Sequence, residues 1–179
     1  MAAVGVGLAG ITSVLAGAER VVMSDYPSPV VLANIAVNVE KNVPQHLRSR
    51  IEIQGHEWGV LDGEFAESHK AHFKRIIAAD CYWMPWQHQN LVRSMLYFLA
   101  VDPEAEILAI GGFHTGRANL AAFFDVAEEE GLEMEEIYEE DEDGLRREWV
   151  KEKDGGRENV TERKRWLTIA RIRRRKELR

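Results

Sequence analysis

Three glycines near the start of the chain, Gly5, Gly7 and Gly10, stand in an apolar stretch that continues into Ile11, Val14 and Leu15. Glycines so spaced let a backbone turn tightly, let a ligand approach the main chain and let a helix pack close to a sheet. Asp25 closes a second apolar run about 18 residues after Gly7, a spacing that suits a carboxylate holding two ribose hydroxyls. Asp80 closes another such run, with Tyr82, Trp83 and Trp86 crowded behind it. Trp58 follows a third run, where its ring suits stacking on a flat heterocycle. Glycines, a ribose-binding acid and a stacking aromatic together imply an adenosine-containing cofactor. Each residue also has a plainer reading. An acid at a strand end serves equally as a turn former or helix cap, and Trp58, Trp83 and Trp86 serve equally as core aromatics.

Other chemistries find less support. His69 and His72 lie three apart, near His88 and Cys81, but no carboxylate or CxxC pattern completes a zinc site. They read as a solvated helix face, and no metal is expected. Cys81 lacks an electropositive neighbour to lower its pKa, so it does not read as a catalytic thiol. The sequence contains neither a GxSxG elbow nor a Walker loop.

These residues need a frame that brings them together. Short β-rich runs alternate with helical stretches, the pattern of an α/β sheet. Strands are expected over residues 20–24, 50–54, 74–79, 106–113, 133–138 and 166–172. Helices are expected over residues 8–16, stopped by Gly17, over 30–41 behind Pro29, over 89–100 and over 119–130. In the third of these, Leu91, Met95 and Phe98 or Leu99 share one face. Residues 61–73 read as a loop with a single helical turn. Residues 139–165 are expected to be too polar for the core. In an open α/β sheet, ligands bind outside the carboxyl ends of the strands, where Asp25, Trp58 and Asp80 fall.

The 179 residues suit one domain with a substantial core. A net charge of −7 argues against general nucleic-acid affinity. The charge is unevenly placed: residues 128–143 are acidic and read as a solvent face, and residues 163–179 are basic and read as a solvated end. A single cysteine excludes an internal disulfide framework and fits a reducing compartment. Residues 1–15 are apolar but lack a basic leader, so a signal peptide is not expected. No apolar run approaches the roughly 20 residues of a membrane span. The chain is expected to act as a cytoplasmic monomer, with no membrane or nucleic-acid partner.

Four segments, GVGLAGITSVLAGAERVVMSDYPSP, GHEWG, IIAADCYWMPWQHQNL and GFHTGR, together resemble the seven-β-strand S-adenosylmethionine-dependent methyltransferases. Within them the likeness is to methyltransferase family 16, over nearly the whole chain. Its fungal branch is labelled nicotinamide N-methyltransferase-like and includes an enzyme that methylates the N-terminus and a nearby lysine of elongation factor 1-alpha. The resemblance implies a Rossmann-like class I methyltransferase sheet, S-adenosyl-L-methionine as cofactor and a protein amine as substrate. Gly5, Gly7 and Gly10 match the later glycines of the family loop, beside the cofactor's methionine part. Asp25 matches the acid that holds the ribose, and Trp58 the tryptophan near the adenine. Asp80 matches the first residue of the family's Asp-x-x-aromatic motif, which borders the substrate amine. Trp83 stands at its aromatic position, where many relatives have tyrosine.

The departures lie at the start. Met1 stands where the family has an acid, and Ala3 replaces the first glycine of its loop. The resemblance therefore predicts a sheet of order 3-2-1-4-5-7-6 that lacks its central first strand. Residues 20–24 and 74–79 would then pair across the gap or leave unpaired inner edges. A chain so shortened is expected to bind S-adenosylmethionine poorly and to methylate little. Three functions follow as alternatives: a protein N-methyltransferase acting on a lysine or N-terminal amine, a small-molecule enzyme of the nicotinamide type, or a truncated inactive homologue.

Overall fold

The computed structural model describes residues 2–3 and 6–178. Met1 and Gly5, which the family resemblance matches to its loop pattern, lie outside the described residues. One eight-stranded sheet forms the centre, in spatial order β3-β2-β1-β4-β5-β8-β6-β7. In chain order its strands are β1 (Ala2–Ala3), β2 (Val21–Asp25), β3 (Ile51–Gly55), β4 (Arg75–Ala79), β5 (Glu106–Gly112), β6 (Leu132–Asp141), β7 (Arg146–Glu148) and β8 (Trp166–Arg174). The first five run parallel, and β8, β6 and β7 are antiparallel additions. The helices are α1 (Leu8–Leu15), α2 (Pro29–Asn42), α3 (Gln45–Arg48), α4 (Glu64–Ser68), α5 (His88–Phe98), α6 (Arg117–Glu129) and α7 (Val160–Arg163).

The alternation of side chains along β2 divides the core in two. Val21 and Met23 face α1 and α2, packing with Ile11, Val14, Ile35 and Val39. Val22 faces the other way, into the larger cluster under α5 and α6 with Leu91, Met95, Phe98, Phe123 and Phe124. Period-two burial in the strands thus meets the apolar stripes of helices on both faces. Pro29 opens α2 at a position where its missing N–H costs nothing.

The sheet corrects the expectation of a vacant centre. Ala2 pairs with Met23 on one side and Ile77 on the other, and Ala3 with Ser24 and Ala78. A parallel strand of two residues therefore stands between β2 and β4, which do not pair with each other. Buried peptide groups demand partners, and even two residues supply some for both inner edges. The opening residues of β2 and β4 lie beyond the reach of these two residues. A cavity of about 630 Å³ opens there, lined by Val21, Arg75, Ile76 and Ile77 among others.

The charged stretch is the second correction. Glu139, in β6, is completely buried, and β7 forms a hairpin with it that periodicity had not suggested. Arg117, the first residue of α6, explains the burial. Its Nη1 donates to Glu139 Oε1 at 2.5 Å and to the Val150 carbonyl at 2.9 Å. Its Nη2 donates to Glu139 Oε2 at 3.2 Å and Glu158 Oε1 at 2.6 Å, and its Nε to Glu158 Oε2 at 3.0 Å. All five guanidinium hydrogens have a partner, which is the condition for burying such a charge. The guanidinium also lies over the rings of Phe113 and Trp149, with ring centroids 4.5 and 5.2 Å from Cζ.

Candidate functional site

A cavity of about 640 Å³ opens at the carboxyl ends of β2 and β4, within the size range of small-molecule sites. Val6, Asp25, Trp58, Asp80 and Trp83 line it, together with Tyr26, His56, Glu57, Cys81 and Met84. Four of the sequence-predicted residues, Asp25, Trp58, Asp80 and Trp83, are thus brought together on one cavity. Gly7 stands next to Val6 as the residue that opens α1, at φ 87°, a left-handed conformation that suits glycine. Gly10 has a different task. A Cβ there would lie 2.6 Å from Met23 Cγ, so its hydrogen lets α1 lie directly on β2.

Asp25 ends β2, where the chain leaves the sheet. Its Oδ1 accepts from the Tyr26 N–H at 2.7 Å, and its carbonyl accepts from the His56 N–H at 2.8 Å. The carboxylate therefore does shape its turn, while also facing the cavity. Trp58 stands half-buried opposite, braced on the α5 side of the core. Its loop is pinned from below. Gly59 N–H donates to Ser94 Oγ at 2.8 Å, and His56 Nε2 lies 3.2 Å from the same hydroxyl. Burial holds the His56 imidazole below the usual histidine range, so it is a neutral strut near pH 7. Sequence reasoning missed His56 and Ser94. The quoted GHEWG segment held the signal, since a histidine between a strand end and a tryptophan invites a partner.

The segment after β4 divides its four side chains between two environments. Asp80 and Trp83 meet the cavity, Trp83 with 48% of its surface exposed. Cys81 forms part of the cavity wall, but burial first, then the Asp25 and Asp80 carboxylates, push its thiol up to about 12. It is no nucleophile at neutral pH. Tyr82 turns inward onto Phe123, with ring centroids 4.6 Å apart. His88 Nε2 lies 2.8 Å from the Tyr82 carbonyl and ties the segment to α5. Trp86 is 73% exposed and is not part of the cavity wall. His69 stacks on Phe73 at 5.4 Å and has Nδ1 2.9 Å from Ser68 Oγ, so it braces α4. Among the described residues, no three His, Cys, Asp or Glu side chains are grouped to hold a metal ion.

Three carboxylates, Asp25, Glu57 and Asp80, border a cavity whose remaining wall is largely apolar or aromatic. That composition fits a nucleoside bearing positive charge: an acid for vicinal hydroxyls, a flat ring for a base, and negative potential for a cation.

No protein-family model matches the sequence. Among curated proteins, the chain is 30% identical over 145 residues to the protein N-terminal and lysine N-methyltransferase efm7 of Schizosaccharomyces pombe, covering 76% of this chain and 55% of that protein. It is 30% identical over 156 residues to the protein of the same name in Candida glabrata, covering 76% and 57%. The chain thus spans a little over half the length of the curated relatives it matches. Among solved structures, the [4+2]-cyclase SpnF superposes with a TM-score of 0.66 at 10% identity, over 97% of this chain and 74% of that one. The glycopeptide N-methyltransferase MtfA, crystallised with S-adenosyl-L-methionine, gives 0.63 at 12% identity, over 95% and 84%. At such identities these two likenesses are of fold alone.

The sheet and its flanking helices define a Rossmann-like class I methyltransferase fold. In sequence the chain is similar, over about three quarters of its length, to the fungal protein N-terminal and lysine N-methyltransferases.

Proposed function

We propose that the whole protein is an S-adenosylmethionine-dependent N-methyltransferase whose acceptor is a protein N-terminal amine or lysine, with elongation factor 1-alpha the candidate substrate. One observation carries the reading: Asp25 and Asp80, at the ends of two strands flanking β1, border the same cavity with Trp58 and Trp83. Asp25 would hold the ribose hydroxyls, Trp58 the adenine, and the turn at Gly7 the methionine part. S-adenosylmethionine, when bound, supplies an electrophilic methyl group. An ammonium has no lone pair, so the acceptor must first lose a proton, which solvent can take. Asp80 and the Trp83 face would orient the nitrogen and stabilise positive charge developing on it. The cavity's acidic rim favours a cationic amine over a neutral ring. The single cysteine, Cys81, whose thiol is buried, supports a reducing, cytoplasmic setting.

Fold alone would not justify this choice, since the same architecture superposes on a cyclase. The supporting weight rests on the site and on the curated relatives. Labelled methyl transfer decides it, with three acceptors compared: a short peptide with a free amino terminus and one lysine, its acetylated lysine-free counterpart, and nicotinamide. The first should be labelled and the other two not. Label on nicotinamide alone would replace this reading with the small-molecule one. A protein that transfers nothing and binds no cofactor would be an inactive homologue.

A further inference from the structure

His114 lies in the loop after β5. Its Nε2 lies 3.1 Å from Asp80 Oδ2, with 65% of the imidazole side chain and 52% of the carboxylate side chain exposed. The other oxygen of Asp80 accepts from the Gly112 N–H at 3.2 Å. Both oxygens of an acid that ends β4 are thus held from the end of β5. Asp80 also adopts φ 54°, a left-handed conformation that few residues other than glycine, asparagine and aspartate take up. The Asp80 N–H donates to the Ile110 carbonyl at 2.6 Å, a further tie to β5. Gly112 makes the room: a Cβ there would lie 2.9 Å from His114 Nε2. The imidazole occupies space that any other residue at 112 would contest.

Resting on the methyltransferase reading above, we propose that His114 is a positioning residue for the methyl acceptor, holding the Asp80 carboxylate toward a cationic amine at the cavity mouth. An exposed aspartate otherwise exchanges among staggered rotamers, and only some of them face the cavity. An ionised carboxylate only accepts, so the imidazole Nε2 carries the hydrogen in this pair. One N–H from His114 and one from Gly112 leave further lone pairs on the two oxygens, enough for the N–H groups of an ammonium. A pyridine, which has no N–H, gains nothing from the arrangement. The acceptor class is therefore a primary amine that arrives protonated.

The test is steady-state methylation of a short peptide with a free amino terminus and one lysine. His114→Ala should raise the peptide KM about tenfold, a loss of roughly 1.4 kcal/mol, with kcat and cofactor affinity within about twofold. His114→Gln, whose amide nitrogen reaches the place of Nε2, should restore KM, and His114→Asn, one bond shorter, should not. Gly112→Ala should act like His114→Ala by displacing the ring. An unchanged KM in His114→Ala, a cofactor affinity that falls as far as KM rises, or rescue by Asn rather than Gln would overturn the proposal. Peptide affinity measured by calorimetry without cofactor gives a second readout, with the same tenfold loss expected. If the wild type binds the peptide but transfers no methyl group, the methyltransferase reading fails while this readout still decides His114. A wild type that does not bind the peptide overturns the His114 proposal directly.

Discussion

Gly10 and Met23 approach so closely that a single added carbon would not fit between them: a Cβ on Gly10 would lie 2.6 Å from both Cγ and Cε of a methionine with no exposed surface. The third glycine of the opening motif therefore seats α1 on the sheet. Gly10→Ala should destabilise the fold by about 1–3 kcal/mol, the usual cost of overpacking. Urea denaturation at neutral pH measures it, and a variant as stable as the wild type would show that α1 shifts without cost.

Arg117 is the keystone of the charged layer on β6. Its removal in Arg117→Ala leaves Glu139 and Glu158 buried without their main counter-charge and should cost about 3–5 kcal/mol. Arg117→Lys should recover little, because one ammonium cannot reproduce five donors in a planar fork. Denaturation midpoints of the three proteins check both statements. No loss of stability in either variant would mean that Arg147, whose Nε donates to Glu139 Oε2 at 2.8 Å, suffices alone.

Stability should fall in acid in two stages. Burial favours neutral His56, so its folded pKa lies below the unfolded value of about 6.5. The unfolded chain then binds the extra proton, and stability present above about pH 6.5 is lost as pH falls from there toward the folded value. For Glu158, burial alone would raise the pKa, but the Arg117 hydrogen bonds and charge outweigh it and lower it. That contribution is complete above about pH 4.3 and is lost as pH falls through the lower folded value. Stability curves measured against pH should show both slopes. His56→Gln should remove the first without touching the second.

Cys81 should resist iodoacetamide at pH 7.5 in the native protein and react once urea unfolds it. Its thiol is buried and its pKa is pushed up to about 12, so almost no thiolate exists in the folded state. Mass spectrometry of alkylated samples reads the result directly. Rapid native labelling would show that the cavity wall opens on that timescale.

The site was legible because its residues sit at strand ends, where sequence punctuation is strong. Asp25 and Asp80 each close an apolar run, and those runs located β2 and β4 to within a residue at each end. The two-residue β1 escaped because so short a strand has no periodicity; it exists through pairing with β2 and β4 on both sides. Glu139 escaped for a related reason. A glutamate in an acidic run reads as solvated, and only the fold brings Arg117 from 22 residues away to bury it. The His56–Ser94 tie spans 38 residues and joins a loop to a helix, a pairing that local pattern does not encode. Local chemistry marked the strand ends, and long-range partners decided what lay beneath them.

Cofactor binding to Asp25→Ala, set beside the wild type, tests the central claim most directly. Asp25 ends β2 on the cavity, and the function proposed above would set its carboxylate on the two ribose hydroxyls. Calorimetric titration of the whole protein with S-adenosylmethionine should show one site in the wild type. The variant should bind about 1–3 kcal/mol more weakly, the cost of leaving buried hydroxyls without their acceptor. Equal affinity in the two proteins, or no binding heat in the wild type, would contradict the assignment of this cavity to the cofactor.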